Sequence, residues 1–215
     1  MIAPPFSPPM PNRRLIGLTG GIATGKSTVS AYLERVYQLT VLDADQYARE
    51  AVQPGSIVLN RLVERYGTRI LQSDGQLDRP QLGSLIFRDG RERRWLETQI
   101  HPVVESCFQR DLAQLPPTLS PVILSIPLLF EAQLTHWVTE IWVVACTPNQ
   151  QNDRLRQRNG LSETEAQDRI QAQMPLDKKC ALADQVLDNS GSLEALYRQV
   201  DRALQYGGDS LEGNH

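Results

Sequence analysis

Long apolar runs, clustered cysteines and lysine are all scarce in this chain of 215 residues. No apolar run approaches the roughly 20 residues that a membrane-spanning helix needs, so the sequence does not suggest a membrane protein. The three cysteines lie far apart and lack the spacing of a metal site, which favours reduced thiols in a cytoplasmic protein. The formal net charge of −3 gives no electrostatic reason to expect a nucleic-acid partner.

Lysine accounts for only three of the 22 basic residues, namely Lys26, Lys178 and Lys179, and all the others are arginine. An ammonium group is a compact point charge, whereas a guanidinium group is planar and larger. Because the chain uses arginine almost everywhere else, the lysine at position 26 indicates a place that suits the compact cation.

Residues 20–27 read Gly-Gly-Ile-Ala-Thr-Gly-Lys-Ser, which matches the phosphate-binding loop G-x-x-x-x-G-K-[ST]. In such a loop the backbone N–H groups converge on a polyphosphate, Lys26 reaches its terminal phosphates, and Ser27 ligates Mg²⁺. The residues that this motif predicts to bind ATP are Gly21, Ile22, Ala23, Thr24, Gly25, Lys26, Ser27 and Thr28.

The neighbours of the loop have the pattern that the motif requires. The apolar run 14–19 predicts a buried strand before it. Val29, Tyr32, Leu33 and Val36 recur at helical spacing and predict an amphipathic helix after it. The alternative is an ordinary glycine turn between a strand and a helix, with a surface lysine.

Apolar runs at 39–42, 121–126, 140–145 and 185–187 alternate with helical patterns along the rest of the chain. Continuous apolar strands separated by helices are typical of a parallel sheet that is covered on both faces. The sequence therefore predicts an α/β fold of three layers with about five parallel strands, and ligands at the carboxyl ends of the strands.

Two connections are too long for simple crossovers, and they define the predicted domains. We expect a helical insertion at 55–119. The second connection, 149–183, is expected to be a lid that brings arginines onto ATP, and the alternative is a pair of solvated helices. The predicted organisation is a proline-rich disordered leader 1–12, a domain 13–206 with core segments 13–54, 120–148 and 184–206, and a flexible tail 207–215.

Asp43 and Asp45 directly follow the second predicted strand. Two carboxylates at this position are suited to hold Mg²⁺ and to orient an acceptor hydroxyl for in-line attack on a phosphoryl group. The alternative for Asp43 is a helix N-cap, which is a common role of aspartate after a strand.

Arg154 and Arg158 are four residues apart, so both side chains project from one helical face. Two like charges there favour a shared anionic partner such as ATP, although an ordinary solvated helix face has the same pattern. Asn189 follows the last strand, where its amide could contact adenine or simply complete a turn.

Other candidate residues have equally simple structural explanations. His101 precedes Pro102 within the predicted insertion, where a lone histidine is usually a packing or capping residue. Leu128 and Phe130 follow the third strand and could be core residues, whereas Glu131 after them is a candidate polar contact of the active centre.

Taken together, these motifs resemble the dephospho-CoA kinase family. The resemblance covers about residues 14–204, and its order and spacing are more specific than the phosphate-binding loop alone. The segments that carry it are Gly20 to Thr28, Asp43 to Arg49, His101-Pro102, Pro127 to Glu131, Arg154 to Arg158 and Ala183 to Gly191.

This resemblance implies transfer of the γ-phosphoryl group of ATP to the ribose 3′-hydroxyl of dephospho-CoA, with Mg²⁺, in a kinase fold with a helical CoA-binding lobe and a lid. It implies that Asp45 is the base and that Arg49 binds the substrate. Lys26 and Arg154 are expected to complete the catalytic set, because the transition state spreads charge over the transferred oxygens. The residues that we expect to bind the substrate are Asp43, Arg49, His101, Leu128, Phe130 and Glu131, and we expect Ser27 and Asp43 at the metal. The expected partners are ATP and dephospho-CoA, with no nucleic acid and no membrane. We expect the protein to be a monomer or a weak homo-oligomer.

Two other functions share the phosphate-binding loop. Another small-molecule kinase, for instance of the nucleoside monophosphate or shikimate type, would differ in its acceptor. The second is a GTPase switch or a non-catalytic nucleotide-binding module, but the chain has no N-K-x-D motif to read guanine. Product analysis with ATP, Mg²⁺ and dephospho-CoA distinguishes these functions.

Overall fold

The computed structural model describes residues 13–86 and 89–209. These residues form two compact units, which are considered separately below. The smaller unit is the segment Ala44–Gln114, and the larger unit comprises the described residues on either side of it.

A sheet of five strands forms the centre of the larger unit. Its order is β2-β3-β1-β4-β5, and all neighbouring strands run parallel, which confirms the predicted fold class. The strands are β1 Leu15–Gly20, β2 Val41–Asp43, β3 Val122–Ser125, β4 Glu140–Ala145 and β5 Gln185–Asp188.

The core of the larger unit lies on the sheet, where helices cover apolar strands. All six residues of β1 are buried, as are all four of β3. Val29 and Leu33 of α1 (Lys26–Tyr37) and Leu196 and Val200 of α9 (Leu193–Asp209) pack in the same cluster and have no exposed surface. Burial of apolar surface stabilises the fold by roughly 25 cal/mol per Å². Strands that are covered on both faces are therefore continuously apolar and lack the alternation of apolar and polar residues seen in half-exposed strands.

Three further helices of the larger unit occupy the predicted lid segment 149–183: α6 Pro148–Asn159, α7 Glu163–Gln171 and α8 Leu176–Ala181. Reciprocal capping boxes begin the first two, with Thr147 and Gln150 at α6 and Ser162 and Glu165 at α7. Each box satisfies backbone N–H groups that the first turn of a helix leaves free, so these starts are fixed locally.

The smaller unit is helical, and its elements are α2 Ala44–Glu50, α3 Ile57–Tyr66, α4 Arg79–Ile86 and α5 Gly90–Gln114. This unit begins earlier than the predicted insertion 55–119 and also ends earlier. The Tyr47 ring meets the Phe108 ring edge-on at 5.0 Å, and its hydroxyl donates to Asp111, so α2 packs with α5. The roles predicted for insertion and lid stay predictions.

The ends of the chain are described only in part. Helix α9 continues to Asp209, into the segment 207–215 predicted as a tail, and the rest of that segment lies outside the described residues. The predicted leader 1–12 also lies outside them. Within the described part of the chain, every helix is too short or too polar to cross a bilayer.

Candidate active site

The carboxyl ends of the parallel strands place the first group of candidate residues together. Asp43 at the end of β2 lies opposite Ser125 at the end of β3. Ser125 in turn lies opposite Leu18 of β1, two residues before the phosphate-binding loop begins. The loop and the first aspartate thus share one edge of the sheet, as expected for a ligand site in a parallel α/β fold.

The loop adopts a backbone that leaves the start of α1 accessible to an anion. Gly25 has φ of 105° and Ala23 has φ of 61°, both in the left-handed region. The loop is closed by hydrogen bonds, including one from the Thr24 hydroxyl to the Gly21 carbonyl at 2.8 Å. Because Gly25 caps α1 without a side chain, no side-chain acceptor occupies the first N–H groups of the helix.

Gly25→Ala is expected to destabilise the loop and to weaken ATP binding. An added Cβ would lie 2.1 Å from Asn189 Nδ2, and the left-handed conformation alone costs a non-glycine residue about 1–2 kcal/mol. Urea unfolding should show a loss of at least about that size. Gly75→Ala is the matched control, because Gly75 also has positive φ but its Cβ would meet nothing within 4 Å. Equal losses in the two variants would contradict the role of the Asn189 contact.

Lys26, Ser125 and Asp43 form a polar chain across two strand ends. Lys26 Nζ donates to Ser125 Oγ, and Ser125 Oγ donates to Asp43 Oδ2 at 2.7 Å. Lys26 Nζ also lies 3.7 Å from Asp43 Oδ2. Ser125 was not among the residues predicted from the sequence, although it is the one hydroxyl residue in the apolar run 121–126 and therefore carried a signal.

Ser27 and Asp43 have the chemistry of a magnesium site. Ser27 is exposed in the first turn of α1, and Asp43 is half-buried at the end of β2. Their hydroxyl and carboxylate oxygens are hard donors, and Mg²⁺ usually takes one or two protein oxygens together with water and substrate phosphates. Among the described residues, no group of three or more His, Cys, Asp and Glu is placed to hold a metal ion.

Two glutamines hold the peptide groups of Ile22 within the loop. Gln151 Nε2 of α6 donates to the Ile22 carbonyl at 2.9 Å. The Ile22 N–H donates to Oε1 of Gln173, which follows α7, at 2.8 Å. Neither glutamine had a signal of its own in the sequence. The predicted lid segment therefore contributes two direct braces to the loop.

Asn189 and Arg154 form a third brace. Asn189 is buried, and its Nδ2 donates to the Thr24 carbonyl at 2.8 Å. Arg154 Nη2 donates to the Asn189 carbonyl at 3.0 Å, whereas the buried Arg154 Nη1 has no hydrogen-bond partner among the described residues. Burial raises the pKa of the nearby Cys146 thiol, and the charge of Arg154 partly opposes this shift. The predicted ATP contacts of Arg154 and Asn189 stay predictions.

Glu131 lies in a second polar cluster, with the buried Lys179 of α8. Lys179 has no exposed surface, and its Nζ lies 2.8 Å from Glu131 Oε1. The same ammonium donates to the carbonyls of Gly20 and Pro127 at 3.3 Å each. Glu131 also accepts the backbone N–H of Met174 at 2.9 Å. The carboxylate predicted to contact substrate therefore also holds α8 at the base of the phosphate-binding loop.

Lys179→Met is expected to lower the free energy of unfolding by about 2–3 kcal/mol, because it leaves Glu131 and two carbonyls without their donor. The value lies below the full cost for a completely buried pair, since the Glu131 side chain is 23% exposed. Lys178→Met is the matched control: Lys178 is exposed in the same helix and should change stability by less than about 0.5 kcal/mol. Equal unfolding curves for both variants would exclude the proposed brace.

The remaining predicted residues divide between the two units. Leu128 is 40% exposed, so its side chain is available to an apolar ligand group, whereas Phe130 is buried. In the smaller unit, Asp45 and Arg49 are exposed on α2 and His101 is exposed on α5. Arg158 of α6 is also exposed and donates to Asn159 Oδ1 at 2.9 Å. Their predicted contacts with substrates stay predictions.

Comparisons with known sequences identify one family. The family model for dephospho-CoA kinase matches residues 14–195. A dephospho-CoA kinase from a Synechocystis strain is 59% identical over 196 residues, which cover 91% of this chain and 97% of that protein. The enzyme of the same name from Synechococcus elongatus is 56% identical, with 90% of this chain and 92% of that protein covered.

Solved structures show the same fold. A crystal structure from Thermus thermophilus has a TM-score of 0.74 and 36% identity, with 91% of this chain and 98% of that chain covered. Dephospho-CoA kinase from Campylobacter jejuni has a TM-score of 0.61 and 20% identity, with 90% of this chain and 97% of that chain covered. At this identity the likeness supports the fold alone. Because the sequence matches above span most of this chain, they show that it belongs to the dephospho-CoA kinase family.

Proposed function

We propose that this chain transfers the γ-phosphoryl group of ATP to the ribose 3′-hydroxyl of dephospho-CoA, giving coenzyme A and ADP, as the final step of coenzyme A synthesis. The observation that carries the proposal is the 59% identity to a dephospho-CoA kinase across nearly the whole of both proteins. The site described above supplies the chemical groups that such a transfer requires.

Lys26 and the phosphate-binding loop would bind and neutralise the phosphates of ATP. In phosphoryl transfer the transition state spreads negative charge over the oxygens of the transferred group, so catalysis is mainly positioning and charge stabilisation. Lys26 is already oriented by Ser125 and Asp43, and the N–H groups at the start of α1 face no capping side chain. The glutamine braces on Ile22 would keep the loop in this conformation without reorganisation during the reaction.

Mg²⁺ bound with ATP would supply further neutralisation of the phosphate oxygens. Ser27 and Asp43 are the residues that we propose to hold it. Arg154 would add a positive charge beside the loop, because it donates to the carbonyl of Asn189, whose amide donates to the Thr24 carbonyl. Arg158, one helical turn further along α6, would approach the same anion.

Asp45 would orient the acceptor hydroxyl and take its proton. Asp43 is less suited to this role, because its carboxylate already accepts from Ser125 and lies beside Lys26. Arg49, His101, Leu128, Phe130 and Glu131 remain the proposed contacts of dephospho-CoA. A cytoplasmic location belongs to the same proposal, since Cys107, Cys146 and Cys180 are free thiols.

A panel of acceptors tests the proposed acceptor class. The purified protein is incubated with ATP, Mg²⁺ and one of dephospho-CoA, AMP or shikimate, and the products are separated and identified by mass. We expect ADP and coenzyme A in equal amounts with the first acceptor, and only background ATP hydrolysis with the others. Preferential phosphorylation of AMP or shikimate would instead support another small-molecule kinase.

A further inference from the structure

A small cavity in the smaller unit is lined by two arginines and no acidic residue. It has a volume of about 180 Å³. Val52 and Leu77 lie at its base, and the polar residues around it are Arg49, Arg79, Gln53 and Gln76. A cavity this small is below the roughly 300–1,000 Å³ of sites that enclose a whole drug-sized ligand, so it suits one group of a larger molecule.

The base of the cavity is buried. Val52 is 3% exposed and Leu77 is 8% exposed, and both belong to the hydrophobic core of this unit. Leu77 is also held by a β-bridge to Leu71. The two arginines project from regular elements beside this base, Arg49 from the last turn of α2 and Arg79 from the first residue of α4. Side chains on such elements are better positioned than side chains on loops.

Neither arginine has an acidic partner among the described residues, and no carboxylate lines the cavity. Other arginines of the same unit do have partners: Arg65 binds Glu92 at 2.7 Å, and Arg110 binds Asp111 at 2.7 Å. Arg49 and Arg79 therefore have charge that the folded unit itself does not neutralise.

The two guanidinium groups are also close enough to repel each other. Burial lowers the pKa of Arg79, and the positive charge of Arg49 lowers it further. Two like charges beside a common cavity are unfavourable alone but become favourable when a single anion lies between them. Guanidinium groups bind phosphate oxygens in a bidentate manner, which makes arginine the residue best suited to this task.

We propose that Arg49 and Arg79 together bind a phosphate or diphosphate group in this cavity, and that the group is the diphosphate of dephospho-CoA. The first part is an inference about the cavity, and the second part rests on the proposed function. A diphosphate offers oxygens on two phosphorus atoms, one for each guanidinium group. Arg79 is then a specificity residue for the acceptor, far in sequence from the phosphate-binding loop for ATP.

Steady-state kinetics of Arg79→Ala and Arg79→Lys test the assignment to the acceptor. Loss of a charge-assisted, bidentate contact should raise KM for dephospho-CoA about 10- to 100-fold, with kcat and KM for ATP changed by less than about threefold. Arg79→Lys should recover part of the affinity, because it keeps the charge but not the planar fork. Arg91→Ala is the matched control: its side chain is 85% exposed and lies outside the cavity, so all constants should stay at wild-type values.

An unchanged KM for dephospho-CoA in folded Arg79→Ala would overturn the proposal. A higher KM for ATP instead of dephospho-CoA would overturn the assignment to the acceptor. Arg79→Lys keeps a cation at this position, so it tests the pair even if the alanine variant does not fold.

Calorimetry with inorganic pyrophosphate tests the cavity without the reaction. The titration uses Lys26→Met protein, which weakens the contribution of the ATP loop, and compares it with the Lys26→Met/Arg79→Ala double variant. We expect at least about tenfold weaker binding in the double variant. Equal binding would overturn the anion site itself. If wild-type protein formed no coenzyme A but this difference remained, the proposed function would fail while the anion site would stand.

Discussion

Replacing Lys26 with methionine is expected to reduce kcat about 10³-fold. Methionine keeps most of the side-chain length but removes the charge that would stabilise the transferred phosphoryl group. It also removes the donor to Ser125 and the positive charge 3.7 Å from Asp43. Initial rates of coenzyme A formation, measured under saturating ATP and dephospho-CoA, give kcat directly.

Lys178→Met is the control for the loss of a lysine charge, because Lys178 is exposed on α8 and should leave kcat within about twofold. Lys26→Arg is the second comparison. A guanidinium group is too large and planar for a position that Ser125 and the loop enclose, so this variant should also be strongly impaired. Nearly normal turnover in Lys26→Met would remove Lys26 from the proposed catalytic role.

Asp45→Asn is expected to lower kcat about 10²- to 10⁴-fold while KM for ATP changes little. Asparagine keeps the shape of the side chain but is not a base, so the acceptor hydroxyl would no longer lose its proton to this group. Asp45 is exposed in the first turn of α2, so the substitution should leave the unfolding curve close to that of the wild type.

Asp43→Asn provides the matched comparison, since the two aspartates differ in their surroundings. Asp43 accepts from Ser125 and lies beside Lys26, and we propose that it holds Mg²⁺. Asp43→Asn should therefore raise the Mg²⁺ concentration needed for half-maximal activity, and excess Mg²⁺ should recover part of the rate. Recovery of Asp45→Asn by Mg²⁺, with no recovery of Asp43→Asn, would reverse the two assignments.

The sheet could be predicted because each strand is a short apolar run bounded by polar or turn residues. The predicted strand 140–145 matches β4 Glu140–Ala145 at both ends. The helix after the loop was predicted from the spacing of its apolar residues, yet Val36 of that set is 50% exposed. Periodicity identifies the buried face of a helix, but the extent of the covering surface depends on tertiary packing.

The braces of the phosphate-binding loop could not be predicted, because their partners are distant in sequence. Gln173 lies 151 residues from Ile22, and a glutamine near a helix end has many ordinary roles. The scarcity of lysine was informative about the site, because Lys26 lies close to Asp43 and Lys179 binds Glu131 beside the loop. Scarcity alone could not separate Lys179 from its exposed neighbour Lys178.

Locating the new phosphate on the product tests the central claim most directly. The unmodified protein is incubated with ATP, Mg²⁺ and dephospho-CoA, and the purified product is examined by ³¹P and ¹H NMR. The account predicts one new phosphomonoester on the ribose 3′ oxygen, formed in equal amount with ADP. A phosphate at another position, or ADP without any phosphorylated acceptor, would contradict it.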